Sequence, residues 1–440
     1  MQRKEILLVI IGIFALCIIV FFRSPNSEKA VVVAGTANPG KILIYYFDGT
    51  NYKRSEIDTD YNLIWTVKVG DIYNNGKNVI VAGVGNSFFS QPFGCSVVAY
   101  EPIANGWKKS IIDSNVDLRC KDLSIGSVYN DGKNELILGT HGEGIINVYK
   151  WDGNKWNKQQ IEKNFIAQMD ILQNTSHRVP AQNLTYNTIV QTAIHIVKIG
   201  DAFNDGRNEI VATESSPLEY VGTPVSYVNV YSFDGKNWNR TTVHSGKGLQ
   251  DRSIIIGDVD YSGKNSIVIG ANPGKLFLLS SNGTWSVSQI FNQSFDKNMK
   301  GLDFQDVYSN GKKEIVLATG IPYGLVYTLQ WDGKEFQPNL IANVSETFAK
   351  YAVINNLGYN TLDVKAKNLD NGGEPEIIVA GEADTSLGAN SYPVQNNIFG
   401  WETTIYGFLV IYKFDGNKWN PQILDQNSVL GMTVGTLQVP

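Results

Sequence analysis

The hydrophobic and polar positions of this chain follow two patterns. One uninterrupted apolar run covers Ile6–Phe22, and no second run of that length follows it. Later apolar residues come in short groups that are continuous, as in Val79–Gly83, or alternate with polar residues, as in Ile145–Trp151. Short groups separated by glycine, asparagine and aspartate predict β-strands joined by tight turns. We therefore predict an all-β fold after the N-terminal run.

One segment recurs six times along the chain. It leaves a strand, passes through a turn close to Gly-Asp-x-x-x-Asn-Gly-Lys-Asn, and enters an apolar strand. The copies are Val69–Gly83, Ile125–Gly139, Ile199–Thr213, Ile256–Gly270, Phe304–Thr319 and Ala366–Gly381. Their turn glycines lie 48 to 74 residues apart. Such spacing leaves room for about four short strands in each repeat.

A second turn in each repeat is flanked by aromatic residues. Asp-Gly or Asn-Gly occupies the turn because these residues tolerate the positive φ of a tight hairpin, and the flanking rings pack across it. The hairpins are Tyr46–Tyr52, Trp151–Trp156, Phe233–Trp238, Ser281–Trp285, Trp331–Phe336 and Phe414–Trp419. Four antiparallel strands in each repeat predict the blade of a β-propeller.

The two ends of the chain are predicted to complete one blade together. Leu430–Gln438 is similar to the strand Ile64–Asp71, whereas the strands that follow residue 31 lack an inner strand. Pairing of the two ends closes the ring and removes open sheet edges. We predict a seven-bladed propeller over residues 31–440, with residues 430–438 completing the first blade. The blades are expected to start near residues 31, 63, 118, 190, 250, 299 and 360.

The repeated turn and hairpin resemble the FG-GAP or VCBS repeat family, relatives of the integrin α-subunit propeller. The resemblance covers residues 28–438. It implies the same propeller fold and the roles that the family serves: adhesion, glycan binding, scaffolding and, less often, parts of polysaccharide lyases. Because one fold supports many functions, the resemblance predicts the architecture more specifically than the activity.

The resemblance also implies calcium sites in the first loop of a blade, where the family uses Asp-x-Asp-x-Asp-Gly-x-x-Asp. Calcium prefers several oxygen ligands within one tight loop. No copy is complete here, and the alternative is a turn held by an aspartate side chain and a glycine of positive φ. The candidate ligands are Asp201, Asp205, Asp258, Asp260, Asn368 and Asp370. Calcium is therefore the one candidate cofactor.

The N-terminal run predicts a membrane anchor. Arg3 and Lys4 precede the run, Arg23 follows it, and a small-residue cleavage site is missing. We interpret residues 1–23 as an uncleaved signal anchor and transmembrane helix, with a removed signal peptide as the alternative. The basic residues orient the N-terminus inward, so a short linker at 24–30 places the propeller outside the cytoplasm, at the cell membrane.

Charge and cysteine content narrow the partners and the compartment. The formal net charge is −5, so no diffuse basic field exists to hold a nucleic acid. Cys95 and Cys120 are the cysteines outside the predicted anchor. Both are expected at strand starts of neighbouring blades, where they form either a disulfide or two buried thiols.

Long loops are predicted on one face of the ring, which we call the loop face. It carries the loops after the second strands and the blade-to-blade connections, and the long insertions are 84–94, 214–226 and 382–406. Aromatic rings beside carboxylates suit sugar rings or peptide segments, although the same aromatics can simply pack the loops against the ring. The candidate ligand-binding residues are Phe89, His141, Glu214, Tyr220, Tyr323, Asp384 and Trp401.

Catalytic signatures are sparse. The four histidines, of which His195 could face the channel, are not spaced as metal ligands, and no nucleophile elbow, phosphate loop or Cys-x-x-Cys motif occurs. We therefore favour a recognition or adhesion propeller that binds a glycan or a surface protein. The alternatives are a carbohydrate-active enzyme of the polysaccharide lyase type and a structural component of a surface layer.

Overall fold

The computed structural model describes residues 28–85, 94–163, 192–215, 225–247, 250–293, 299–320, 322–349, 358–384, 404–426 and 429–440. The predicted anchor, residues 1–23, lies outside these ranges, as do linker residues 24–27. Within the described ranges, no helix is both long enough and apolar enough to cross a membrane. The described part of the chain consists almost entirely of antiparallel β-strands, as the sequence predicts.

The first sheet contains both ends of the described chain. Its strands are β1 (Glu28–Phe47), β2 (Tyr52–Gly70), β3 (Val79–Gly85), β4 (Cys95–Ile103), β5 (Gly106–Asp113) and β26 (Val429–Gln438). They pair in the order β26-β1-β2-β3-β4-β5. The antiparallel pairing of β26 with β1 runs from Glu28 opposite Gln438 to Thr36 opposite Val429. The structure therefore forms the pairing of chain ends that the repeat predicts.

Two strands of this sheet, β1 and β2, are long enough to supply two strand segments each. The first part of β1 pairs with β26 and its last part with the first part of β2. Between them the chain folds back, because the Lys41 backbone N–H donates to Thr36 Oγ1 (2.9 Å) and that hydroxyl donates to the Pro39 carbonyl (2.7 Å). The last part of β2 pairs with β3. The six-stranded sheet thus joins two consecutive units through β2.

The second sheet also joins two units. Its strands are β6 (Arg119–Gly126), β7 (Glu135–Gly142), β8 (Ile146–Trp151), β9 (Trp156–Glu162), β10 (Thr192–Gly200), β11 (Glu209–Ser215), β12 (Val225–Phe233) and β13 (Trp238–Lys247). Strands β6 to β9 form one unit, and strands β10 to β13 form the next. Two residue pairs at the ends of β7 and β10 connect them.

Three further sheets contain four strands each, in chain order. The first has β14 (Gln250–Gly257), β15 (Ser266–Asn272), β16 (Lys275–Ser281) and β17 (Trp285–Asn292). The second has β18 (Gly301–Gln305), β19 (Glu314–Ala318), β20 (Leu325–Trp331) and β21 (Phe336–Asn343). The third has β22 (Gly358–Lys367), β23 (Glu376–Asp384), β24 (Thr404–Phe414) and β25 (Trp419–Asp425).

The hydrophobic cores lie between neighbouring units. All seven residues of β3 are buried, because Val81 packs with Leu123 of the next unit while Ile80 packs with Val31 of the preceding one. A strand covered on both faces reads as a continuous apolar run, whereas the edge strand β5 exposes Lys108, Lys109 and Ile111. Leu123 is fully buried, and truncating such a leucine costs about 2–5 kcal/mol. Packing between units is therefore a major source of stability.

The repeated turn also links neighbouring units through asparagine side chains. Asn204 has a φ of 58°, its Oδ1 accepts the backbone N–H of Asn265 (2.6 Å), and its Nδ2 donates to the Asn265 carbonyl (3.0 Å). We call this pair of contacts an asparagine link. Two further links join Asn74 with Asn134 and Asn130 with Asn208. The repeated asparagines therefore hold one unit to the next.

Aromatic residues also pack together between neighbouring units, next to the asparagine links. Tyr73, at the third position of its turn, lies with its ring centroid 5.2 Å from that of Trp151 and 5.6 Å from that of Trp156, in the hairpin of the next unit. The same arrangement recurs for Tyr129 with Phe233 and Trp238, Phe203 with Trp285, and Tyr308 with Phe414 and Trp419. The hairpin aromatics thus pack between units as well as across their own turn.

A short helix follows the strand β21. The helix α1 (Val344–Ala349) begins after Asn343, whose Oδ1 accepts the Ser345 backbone N–H (3.0 Å) in an N-cap contact. Phe348 is fully buried and its ring lies 5.6 Å from that of Phe408. A helix of six residues is too short to show a helical period in the sequence.

A disulfide crosses one junction between units. Cys95 opens β4 and Cys120 lies at the start of β6, with an S–S distance of 2.12 Å and a Cα–Cα distance of 5.5 Å. Both cysteines are fully buried. Of the two alternatives that the sequence leaves open, the structure forms the disulfide.

Candidate functional site

The first strands of the units carry a recurrent irregularity near their starts. In five of them, the register with the second strand shifts by one residue. A β-bulge of this kind re-aims the side chain of the extra residue. The extra residues are Trp65, Lys121, His195, Arg252 and Leu362, and all five line one cavity together with Lys300, which immediately precedes β18. We call these six residues the upper ring.

The cavity lies where the first strands converge. Its volume is about 110 Å³, and its walls come from β2, β6, β10, β14, β18, β22 and β26. A second set of lining residues, which we call the lower ring, follows the upper ring along the strands. It consists of Lys68, Asp122, Lys198, Asp363 and Lys365. The cavity therefore has two layers of polar side chains along the axis of the sheets.

Opposite charges largely offset one another in the lower ring. Lys68 Nζ lies 3.0 Å from Asp122 Oδ1, and Lys365 Nζ lies 2.6 Å from Asp363 Oδ1. Burial raises the pKa of Asp122, but Lys68 and Lys198 outweigh it and hold that pKa below its usual range. Burial and the nearby Lys68 lower the pKa of Lys198 to about 8. Asp122 is thus ionised and pairs with Lys68, and the second ion pair of this ring joins Asp363 with Lys365.

The upper ring is cationic. Lys121, Arg252 and Lys300 line it, and no carboxylate belongs to this set of six residues. Burial and the charges of Lys300 and Arg252 hold the pKa of Lys121 well below its usual range. Its Nζ lies 5.2 Å from the centre of the Trp65 ring, a cation–π distance. Like charges thus lie close enough in the upper ring for Lys300 and Arg252 to oppose protonation of Lys121.

Two histidines, each in contact with an arginine, lie at this end of the first strands. Arg252 Nη1 donates to His195 Nδ1 (3.2 Å), and Arg119 Nη1 donates to His141 Nδ1 (3.2 Å). The two imidazole rings are 5.8 Å apart. Burial and the neighbouring arginines hold the pKa of both histidines well below its usual range, so both are neutral. Because arginine can only donate, each neutral ring carries its proton on Nε2.

The predicted ligand-binding residues are distributed unevenly. Phe89, Tyr220 and Trp401 lie outside the described residues, and only the backbone of Asp384, at the end of β23, is described. Tyr323 is 44% exposed and forms a backbone bridge with Tyr359. His141, a predicted residue of the loop face, belongs to the end of strand β7 and lies beside the upper ring.

Glu214 lies inside a sheet rather than on its surface. It is fully buried in β11, where its Oε1 accepts hydrogen bonds from Tyr231 Oη (2.5 Å) and Asn229 Nδ2 (2.8 Å). Burial raises its pKa to about 7. Alternation along the strand determines this position: Glu214 points into a core where the sequence analysis expects the beginning of a loop. Its carboxylate serves a structural network with Tyr231.

In the predicted calcium loops, the candidate ligand side chains form hydrogen bonds with the backbone of the same loop. The two carboxylate oxygens of Asp201 accept the backbone N–H groups of Asp205 and Gly206, both at 3.0 Å, and Asp205 pairs with Arg207 (2.5 Å). This is the turn that the alternative interpretation predicts. In the second loop, Asp258 accepts a hydrogen bond from the Gly263 backbone N–H (3.0 Å) and Asp260 accepts one from the Ser262 backbone N–H (3.2 Å). In the third loop, the Asn368 side chain donates to the Gly373 carbonyl (3.2 Å), and Asp370 forms an ion pair with Lys413.

Metal binding stays a prediction. Within the described ranges, no group of three or more histidine, cysteine, aspartate or glutamate residues is gathered as a ligand set. The third position of the Asp201 loop is Phe203, whose ring packs against Trp285 at 6.1 Å. An aromatic residue at this position uses the loop for packing between units instead of supplying an oxygen ligand.

The cationic residues that line the cavity are not among the site residues predicted from the sequence. Lys68 and Lys198 stand two residues before the repeated Gly-Asp, so strand alternation could have indicated that they share one face. Lys121 and Arg252 carry no such signal, because the bulge shifts the alternation by one residue. Only the pairing of the strands reveals that these residues meet.

Solved structures provide the comparison for this fold. No family model matches the sequence, and no curated protein matches it. A lectin of Agrocybe aegerita, described for its specific recognition of non-reducing terminal N-acetylglucosamine, is similar over 94% of this chain and 96% of its own, with a TM-score of 0.53 and 14% identity. At this identity the similarity shows the fold alone, and the protein is a β-propeller.

Two other solved structures are similar at lower scores. The WD40 β-propeller domain of Doa1 has a TM-score of 0.45 and 11% identity, covering 80% of this chain and 85% of its own. BBS1N, solved in complex with ARL6DN, has a TM-score of 0.42 and 13% identity, covering 82% of this chain and 92% of its own.

Proposed function

We propose that this protein is a seven-bladed recognition propeller, of the FG-GAP or VCBS type, that is anchored in the membrane by residues 1–23. Its propeller lies outside the cytoplasm and binds a glycan or a surface protein through the loop face. Recognition by a rigid ring with long loops is a common use of propeller folds. The lectin with a similar fold recognises a terminal sugar, which favours a glycan as the first ligand class to test.

The observation that carries the proposal is the convergence of several features on one edge of the ring. Gly85 pairs with Leu63, Ser215 with Ala193, and Asp384 with Gly358. The segments 86–93, 216–224 and 385–403 therefore leave the sheets at the edge where the first strands start. The upper ring of the cavity lies next to this edge. The described strand ends that flank these segments thus lie at the same edge as the cavity residues.

Two observations support the extracytoplasmic location. Disulfides persist in oxidising compartments, and Cys95 and Cys120 form one. The apolar run Ile6–Phe22 with flanking basic residues fits a single membrane span. The test is fractionation: we expect the full chain to stay in the membrane pellet after alkaline carbonate and to enter solution only with detergent. Release by carbonate alone would contradict the anchor.

Glycan recognition is tested with the full chain, purified in a non-ionic detergent, on an array of glycans and polysaccharides. We expect saturable binding that Trp401→Ala abolishes and Tyr323→Ala weakens. The matched control is Ile111→Ala, because Ile111 is 65% exposed on the outer strand β5. Binding that all three variants lose equally would contradict recognition through the loop face.

The same array separates the remaining alternatives. Repeating it with calcium and with a chelator tests the calcium loops, since binding through a bound cation is lost with the chelator. Absence of binding to every sugar would refute the glycan form of the proposal. Depolymerisation of a bound polysaccharide would refute a purely recognition role and indicate a carbohydrate-active enzyme.

A further inference from the structure

We infer that the Lys198 side chain, in the lower ring of the cavity, is a modification site at which carbon dioxide forms a carbamate with the amine. The inference goes beyond the proposed function, because it rests on the cavity and on none of the long loops. Lys198 lines a cavity of small-molecule size, and its amine has no counter-ion. The two neighbouring lysines of the lower ring favour a negative charge at its position.

Lys198 differs from the other two lysines of the lower ring in having no ion pair. Lys68 Nζ lies 3.0 Å from Asp122 Oδ1, and Lys365 Nζ lies 2.6 Å from Asp363 Oδ1. The Lys198 side chain forms no hydrogen bond or ion pair with any residue that the structure describes. Its amine therefore faces the cavity without a bound carboxylate.

The neighbouring strands explain this difference. Asp122, in the preceding unit, has both carboxylate oxygens engaged. Its Oδ1 pairs with Lys68 (3.0 Å), and its Oδ2 accepts the backbone N–H of Val197 (3.1 Å). The following unit has an apolar residue, Ile255, at the position that Lys198 occupies in its own strand, two residues before the repeated Gly-Asp. Strand position therefore leaves Lys198 without a carboxylate of its own.

An amine in this position is partly neutral near physiological pH. Burial and the nearby Lys68 lower the pKa of Lys198 to about 8. Burial also lowers the pKa of Lys365, but Asp363 and Asp303 outweigh it and raise that pKa above its usual range. At pH 7 an amine of pKa 8 is about 9% neutral, roughly 300-fold more than an ordinary lysine. The neutral amine is the nucleophile, so reactivity concentrates on Lys198 within the lower ring.

The reaction needs only this amine and dissolved carbon dioxide. The Nζ lone pair attacks the carbon of carbon dioxide, a C–N bond forms, and the electron pair of one C=O π bond moves onto oxygen. One amine proton passes to water, so the product is a carbamate of charge −1. The cavity of about 110 Å³ admits a molecule of this size, and its walls are packed strands.

The charges around Lys198 favour the carbamate over the ammonium form. Lys68 on β2 and Lys365 on β22 oppose a positive charge on Lys198. Asp122 on β6 and Asp363 on β22 favour it, but each acts less strongly than the lysine with which it is paired. A negative group at this position is attracted by the two lysines that repel an ammonium. Carbamate formation therefore turns the interaction with both lysines from repulsive to attractive.

The first test measures the reactivity of the unmodified full chain in a non-ionic detergent at pH 7. Cyanic acid has the double-bond arrangement of carbon dioxide and adds to a neutral amine to give a stable carbamoyl group, which peptide mass spectrometry locates. We expect Lys198 to react with potassium cyanate faster than Lys365 by about tenfold or more. Lys365 is the internal control, because it lines the same cavity. Equal rates at the two lysines, or an adduct confined to Lys121, would overturn the inference.

The second test detects the carbamate itself. The full chain is equilibrated with carbon-13 bicarbonate at pH 8, and carbon-13 NMR spectra are compared for the unmodified protein, Lys198→Gln and Lys236→Gln. An α-amino group has a pKa of about 8 and forms a carbamate of its own, so only a signal that a variant loses is assigned. We expect Lys198→Gln to lose one carbamate signal. Lys236→Gln, which changes an exposed residue of a hairpin turn, should keep it.

The two tests decide independently. A carbamate spectrum that is the same in Lys198→Gln and in the unmodified protein would overturn the inference, as would loss of the same signal in Lys236→Gln. The cyanate measurement uses no variant, so it decides the question even where Lys198→Gln fails to fold. Faster cyanate addition at Lys198 together with a signal that only Lys198→Gln loses supports the carbamate site.

Discussion

The asparagine links predict that a turn residue controls the stability of the ring. Asn204 occupies a left-handed backbone conformation with a φ of 58° and makes two hydrogen bonds to Asn265 of the next unit, at 2.6 and 3.0 Å. Replacing Asn204 with alanine removes both contacts and leaves a residue with a Cβ in the left-handed region. We expect Asn204→Ala to destabilise the protein through both effects.

The magnitude follows from the two contributions. Each lost hydrogen bond costs about 0.5–1.5 kcal/mol. A left-handed alanine costs roughly 1 kcal/mol more than asparagine, which tolerates this region. The free energy of unfolding should therefore fall by about 2–4 kcal/mol for Asn204→Ala. Asn204→Gly loses the contacts without the strain, so its cost should be about 1 kcal/mol smaller.

A matched control exists in the same chain. Asn371 occupies the equivalent turn position with a φ of 60°, but its side chain forms no hydrogen bond with the described residues. Asn371→Ala should therefore show the strain alone, about 1 kcal/mol, and Asn371→Gly should be nearly neutral. The difference between the two alanine variants isolates the link from the backbone conformation.

Urea unfolding followed by tryptophan fluorescence measures these differences, with the slope on urea concentration checked for each variant. Hydrogen exchange adds a local measurement, since the Asn265 amide donates to Asn204 Oδ1 and should exchange faster in both Asn204 variants. Equal costs for Asn204→Ala and Asn371→Ala would refute the reasoning. Unchanged exchange at Asn265 would refute it independently.

Three further predictions concern stability. Removing the disulfide with the double variant Cys95→Ala/Cys120→Ala should lower the free energy of unfolding by about 3.5 kcal/mol, the value expected for a sequence separation of 25. Urea unfolding without reductant measures this loss, and an unchanged free energy of unfolding would contradict a formed disulfide. Burial raises the pKa of Glu209 to about 7, above the value of 4.5 for an unperturbed side chain, so its stabilising contribution is complete below pH 4.5 and is lost as the pH rises to about 7. Glu209→Gln should abolish the loss of unfolding free energy between pH 4.5 and about 7. The same pH dependence in the variant would contradict the raised pKa of Glu209. The pKa of Lys198 is lowered to about 8, so the free energy of unfolding of the unmodified protein, relative to Lys198→Gln, should rise between pH 8 and 10.5; a flat difference would contradict the lowered pKa.

Local sequence was sufficient to predict the strands and their order. The second strands are buried on both faces and therefore read as continuous apolar runs, while an outer strand such as β5 carries exposed lysines. Asp-Gly and Asn-Gly turns place the hairpins, because few other residues tolerate their backbone conformation. The similarity of Leu430–Gln438 to an inner strand indicates the pairing of the two chain ends, and the structure forms that pairing.

The candidate site followed less directly from the sequence. His141 and Tyr323 could be named because they stand near predicted loops, but Glu214 turns inward to Tyr231 instead of outward to a ligand. The cationic upper ring could not be named at all. Its members are separated by tens of residues along the chain, and the bulges that aim them at the axis are irregularities of strand pairing.

The sequence by itself determined the all-β class, the repeated antiparallel unit and its turns. These features depend on hydrophobic alternation and on backbone preferences that act within a few residues. Tertiary structure alone decided that the first strands converge on one cavity, that bulged residues meet there, and that Cys95 bonds to Cys120. The physical reason is that register and convergence arise from contacts between distant segments, whose free energy no local pattern encodes.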